Sequence, residues 1–140
     1  MHALILLTAL AAESPPVPLE QLKKRCDQGQ RASCFEVAMS YDMGVGVARN
    51  LREAAYWHEK ACVLGAAPSC YNLAVMHEKG EGVPKDPARA ARFYAEEIRL
   101  LERSCKQGRP EACRLLATKR ANQDRPSAGS AEADPAKPKP

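Results

Sequence analysis

Residues 62–70 read Cys62-Val63-Leu64-Gly65-Ala66-Ala67-Pro68-Ser69-Cys70. Glycine adopts the left-handed backbone that closes a helix, so Gly65 reads as a helix end, with a new helix starting just beyond it. The same spacing returns in Cys26-Asp27-Gln28-Gly29-Gln30-Arg31-Ala32-Ser33-Cys34 and in Cys105-Lys106-Gln107-Gly108-Arg109-Pro110-Glu111-Ala112-Cys113. Three copies of Cys-x-x-Gly-x4-Cys in 140 residues mark an internal repeat. Cys26 and Cys62 lie 36 residues apart, and Gly44-Val45-Gly46-Val47 returns as Gly80-Glu81-Gly82-Val83 at that offset. Ala54-Ala55 returns as Ala90-Ala91, and Trp57 as Phe93. Such a period belongs to helical-hairpin arrays, whose units bury their apolar faces only by stacking.

Local signals place six helices at about 19–28, 31–43, 51–64, 67–79, 87–107 and 110–121. Asn50 with Glu53 reads as a capping box. Asp86 before Pro87 reads as an N-cap with proline at the first helical position. Gly44 and Gly80 close the intervening helices. The third unit departs from the period, since Cys62 and Cys105 are 43 residues apart. Seven extra residues are nearly two helical turns, so the fifth helix is expected to project roughly 10 Å beyond its counterpart. Phe93 and Leu100 then share the buried stripe, with Glu96, Glu97, Glu102 and Arg103 mostly outside it.

In an antiparallel hairpin the two cysteines of each copy face one another within disulfide reach. Six cysteines allow fifteen pairings. Only Cys26–Cys34, Cys62–Cys70 and Cys105–Cys113 treats every unit alike. Each bridge closes a short loop, for which the chain-entropy model gives about 2.5 kcal/mol. Zinc sites favour Cys-x2–4-Cys spacing, and the sequence has none, so no metal is assigned.

The segment Leu73-Ala74-Val75-Met76-His77-Glu78-Lys79-Gly80-Glu81-Gly82-Val83-Pro84-Lys85-Asp86 resembles the core of the Sel1-like repeat family, Leu-Gly/Ala-x-x-Tyr-x-x-Gly-x-Gly-Val-x-x-Asp. Glu53-Ala54-Ala55-Tyr56-Trp57-His58-Glu59-Lys60-Ala61-Cys62 is similar to the family's Lys-Ala-x-x-Trp-Tyr-x-Lys-Ala-Cys segment. The cysteines resemble the secreted, cysteine-rich branch known from Helicobacter, and the likeness covers about residues 20–118. His58 and His77 stand where the family usually has tyrosine, and Asn50 replaces an aspartate. The resemblance implies an all-α fold, an α/α solenoid of three disulfide-stapled hairpins related to tetratricopeptide arrays. It also implies binding of a protein or peptide. As the alternative it implies a penicillin-binding or weak β-lactamase-type hydrolase, described for some members.

The two ends read differently from the repeat. Residues 1–12 form a short apolar run closing on small residues, Ala9-Leu10-Ala11, like a secretory signal peptide without a basic start. Residues 13–18 are a proline-rich spacer. The repeat domain is read as 19–121, and 122–140 as a tail too poor in apolar residues to order itself. The cysteines and the leader together imply a periplasmic or secreted protein. No apolar run is long enough to span a bilayer.

The motifs of catalysis are missing from the sequence. It has no Ser-x-x-Lys, no Gly-x-Ser-x-Gly and no phosphate loop. Its histidines are His2, His58 and His77. No catalytic residue and no cofactor is therefore assigned. The first helix of each hairpin usually lines the binding surface. Tyr56, Glu59, Arg92 and Glu96 lie on those helices, off the Ala54/Trp57/Ala61 stripe, and are the candidate partner contacts. His58 and His77 are expected to hydrogen-bond inside the array, as tyrosines would. The third unit is basic, with Arg89, Arg92, Arg99, Arg103, Lys106, Arg109, Arg114, Lys119 and Arg120 against five acids from Asp86 onward. That balance fits a solvated helix with pairs such as Glu102–Lys106, or an anionic envelope surface. A net charge of +4 does not point to nucleic acid. The chain is read as a monomer.

Overall fold

Two N-caps one period apart begin helices by the same device. Asn50 Oδ1 accepts from the N–H groups of Arg52 and Glu53 at 3.1 and 3.2 Å. Asp86 Oδ1 accepts from the N–H of Arg89 at 3.0 Å. Each satisfies donors that a helix start leaves open. The capping box expected at Asn50 is only half formed. Glu53 does not reach back, because its Oε2 accepts from Trp57 Nε1 at 3.2 Å.

The computed structural model describes residues 16–124. It contains α1 (Leu19–Asp27), α2 (Arg31–Met43), α3 (Leu51–Val63), α4 (Ala67–Lys79), α5 (Pro87–Lys106) and α6 (Pro110–Gln123). There is no strand among the described residues. Helix α6 runs two residues past its expected end, into what was read as the tail. The proposed signal peptide and the tail from residue 125 lie outside the described residues, as does the start of the spacer.

The turns within the hairpins are copies of one another. Gly29, Gly65 and Gly108 each donate to the carbonyl of the preceding cysteine at 2.8 to 2.9 Å. The next N–H then donates back to Arg25, Ala61 or Ser104. This closes the helix and aims the chain into the following one. The disulfides Cys26–Cys34, Cys62–Cys70 and Cys105–Cys113 follow, with Cα–Cα distances of 4.6, 4.8 and 4.7 Å. Between hairpins the approach is tight at Gly82, whose φ is +72°. A Cβ there would overlap the backbone of Leu51 at the start of α3.

Each helix packs on its neighbours in the chain, most extensively α2 on α3 and α4 on α5. The result is a solenoid of three stapled hairpins. Its core lies in the middle, where Cys34, Val37, Ala38, Ala54, Ala61, Cys70, Leu73 and Ala74 are almost fully buried. Small residues dominate this set, so the helices approach closely with few aromatics.

Helix α5 has 20 residues against 13 in α3, which confirms that the extra seven extend the helix. One assignment on it is corrected. Glu97 is buried rather than outside the stripe. It stands four residues after Phe93 and four before Leu101, so helical periodicity turns it toward α6. There Lys119 Nζ meets it at 2.8 Å, with Lys119 also 4.3 Å from the Tyr71 ring centre. Glu102 pairs with Arg120 across to α6, not with Lys106 along its own helix.

Candidate functional site

Helical period sorts α3 into two faces. Ala54, Trp57, His58 and Ala61 turn inward, and Tyr56, Glu59, Lys60 and Val63 fall on the opposite stripe. The outward stripe borders two shallow clefts. One, of about 490 Å³, lies between α1 and α3 and is lined by Asp27, Glu59, Lys60, Val63 and Leu64 among others. The other, of about 350 Å³, lies between α3 and α5 and is lined by Cys62, Val63, Arg89, Arg92, Phe93 and Glu96. Val63 belongs to both and is 81% exposed.

Of the four candidate contacts, the structure brings Arg92 and Glu96 together in the α3/α5 cleft. Glu59 lies across Val63 in the α1/α3 cleft. Tyr56 lines neither, but is exposed, with its ring edge-on to Trp57 at 5.2 Å. Val63 and Leu64 were missed. The signal for Val63 was available: it is seven residues after Tyr56, so an apolar side chain sits on the stripe facing away from the core.

Charges order this face. Lys60 Nζ donates to Asp27 Oδ1 at 2.8 Å, tying α3 to α1, and lies 5.0 and 4.8 Å from the ring centres of Tyr56 and Trp57. The Asp27 hydrogen bond, foremost, raises the Lys60 pKa. On α5, the hydrogen bond from Arg99 holds the Glu96 carboxyl below its usual range. The clefts thus combine fixed charges with an exposed apolar centre.

The two histidines do lie inside the array and hydrogen-bond there. His77 Nδ1 is 3.4 Å from the carbonyl oxygen of Pro84, and its ring stacks on Phe93 with centroids 5.6 Å apart. His58 sits 3.2 Å from Ser69 Oγ through Nδ1 and 3.4 Å from Asn72 Nδ2 through Nε2. Burial lowers its pKa to about 4 against the opposing charge of Asp42. A serine beside a histidine invites a nucleophile–base reading, but two facts oppose it. Ser69 is fully buried. The Asn72 amide donates to Nε2, which leaves the proton on Nδ1, so the imidazole donates to Ser69 rather than accepting from it. All six cysteines are bridged. Among the described residues no group of three or more metal-ligating side chains gathers.

The Sel1 repeat model matches residues 31–65 and 67–96. Solved structures share the fold. A Sel1 repeat protein from Oxalobacter formigenes is 30% identical with a TM-score of 0.53, over 56% of this chain and 60% of that one. The cysteine rich protein B of Helicobacter pylori is 28% identical with a TM-score of 0.51, over 70% of this chain and 68% of that one. A protective antigen of uropathogenic Escherichia coli strains is 29% identical with a TM-score of 0.51, over 73% of this chain but only 20% of the other. The chain thus spans less than two thirds of the first of these proteins and a fifth of the last. No curated protein sequence matches it significantly.

Proposed function

We propose that this chain, whose residues 31–65 and 67–96 match the Sel1 repeat, is an extracytoplasmic scaffold binding a protein or peptide along the face carried by α1, α3 and α5. The observation that carries this reading is Val63, an aliphatic side chain 81% exposed where two charged clefts meet. An isolated exposed apolar residue is ordinary. One centred between clefts and flanked by Glu59, Arg92 and Glu96, with Tyr56 exposed further along the same stripe, has the anatomy of an interface, with an apolar centre and a polar rim. Three hairpins stapled by disulfides present that face without much loss of freedom on binding. The disulfides and the cysteine-rich relative support a location outside the cytoplasm. Among the described residues no helix is long and apolar enough to cross a membrane. The reading includes a cleaved leader at 1–12, a repeat domain from residue 19 and a monomeric state.

Affinity capture from cell-envelope extract, with the native chain and Val63→Glu side by side, tests the proposal. A retained protein that the variant loses, at unchanged thermal stability, is the expected result. Identical captures would remove the face from consideration. Hydrolysis of a chromogenic cephalosporin, abolished by a single substitution, would replace the scaffold with an enzyme.

A further inference from the structure

The seven residues added to α5 do more than lengthen it. Aligned on Ala54 and Ala90, α3 ends where α5 reaches Arg99, so the extension is residues 100–106. It carries α6 beyond the starts of α2 and α4 by about 10 Å. Under this overhang runs a groove of about 400 Å³, separate from the clefts on the odd-numbered helices. Phe35 of α2, Pro68 of α4, Leu101 of the extension and Leu115 of α6 supply its apolar lining. Leu115 is 44% exposed, although α6 buries only its neighbour Leu116. The volume lies in the range of ligand clefts.

The rim is positive. Arg31 and Arg109 line the groove from opposite walls, and both are exposed and without an ion-pair partner among the described residues. The one acidic lining residue, Glu111, lies 3.7 Å from Arg114. Residues at the starts of α2, α4 and α6 line this groove, and none of these helices has a side-chain cap. Helix starts carry partial positive charge, so three together add to the field of the two arginines. We propose that this overhang groove is a second binding site, and that it takes an extended acidic peptide segment of a partner protein, one that carries an apolar side chain between carboxylates. The apolar side chain fills the space between Leu101 and Leu115. The carboxylates meet Arg31 and Arg109, whose planar guanidinium groups suit that geometry.

The test is an NMR titration of the 15N-labelled full chain with the acetylated, amidated hexapeptide EELAEE, and with KKLAKK as its opposite. Shifts at Ala66, Ala112 and Leu115 with EELAEE alone are expected. Charge-assisted hydrogen bonds contribute enough that Arg31→Glu with Arg109→Glu should weaken binding at least about tenfold. Leu115→Gln should weaken it too. These side chains are exposed, so an unchanged amide spectrum confirms that the variants fold. No shift up to about 5 mM peptide, equal response to both peptides, or shifts confined to Tyr56, Val63 and Phe93 would overturn the proposal. So would shifts at the groove that grow with protein concentration in the absence of peptide, which would assign it to a second copy. Shifts there on deleting residues 125–140 would assign it to the chain's own tail, and would overturn it equally.

Discussion

Two ring pairs, one repeat apart, show how the same backbone supports different chemistry. Phe35 and His58 lie with centroids 6.1 Å apart at 55°, and Tyr71 and Tyr94 with centroids 5.8 Å apart at 57°. An acid accompanies each pair at the same register, Asp42 in the first and Glu78 in the second. In the middle of the array His58 is sealed at 1% exposure and kept neutral by burial. Toward the end Tyr94 is only half-buried, and its hydroxyl donates to Glu78 Oε2 at 2.8 Å. Burial first and that hydrogen bond second raise its pKa to about 12. The repeat fixes where the rings stand. How closely the second helix of the hairpin covers them fixes how wet they are, since α4 closes over His58 while Tyr94, on the helix that α6 follows, stays half-buried.

The largest expected break in this comparison is in the disulfides. All three close loops of the same length, with a sequence separation of 8, so chain entropy alone would assign each about 2.5 kcal/mol. Cys62 and Cys70 are buried in the core, whereas Cys105 and Cys113 are half-buried. Cys62→Ala with Cys70→Ala should therefore cost about 4–5 kcal/mol, and the terminal pair about 2–3, because only the first also leaves a cavity. Urea unfolding of both variants measures the gap. Equal losses would mean that the middle of the array is no better packed than its end.

A second contrast is in pH. His58 takes up a proton near 6.5 when unfolded, and only near 4 in the fold. Its neutral burial is without penalty above pH 6.5. Stability then falls by about 1.4 kcal/mol per unit as pH drops toward 4, and the loss is complete below that. His58→Tyr places in the middle the residue found one repeat on, with Asp42 in the position of Glu78. Its melting temperature should be flatter than the native one across that window. Parallel declines would acquit the imidazole.

Smaller effects sharpen the picture. Glu97→Ala leaves Lys119 facing Tyr71 without its buried partner, and should cost about 1–3 kcal/mol. Glu78→Ala, which frees an exposed hydroxyl contact, should cost under about 1 kcal/mol. A double-mutant cycle with Lys119→Ala isolates the first pair, and additivity there would show no coupling. The cap pair, Asn50→Ala and Asp86→Ala, should cost about 1 kcal/mol each. Similar values in thermal melts would show that local devices do not sense their position in the array.

That distinction explains what could be read in advance. The helices, their caps and the disulfide partners rest on contacts spanning a few residues, and the spacing of Cys62, Gly65 and Cys70 states them directly. Of the proposed partner face, Tyr56, Glu59, Arg92 and Glu96 were legible as outward positions. Val63 was legible in principle, but hidden beside a cysteine of the core. Glu97 was misjudged because its acidity outweighed its register, and register won once Lys119 stood opposite. Glu102 chose Arg120 over Lys106 for the same reason, since a neighbouring helix offered a partner that one helix alone cannot show.

The sequence by itself determined the repeat, the six helices, the staples and the length of the fifth helix. Each follows from hydrogen bonds and steric rules acting within about two turns of chain. Only the tertiary structure decided that the extra turns overhang their neighbours, that a groove with two arginines opens beneath them, and that one histidine is dry where the equivalent tyrosine is not. Those outcomes depend on residues of different helices brought together by stacking, and burial is a property of the stack rather than of any segment in it.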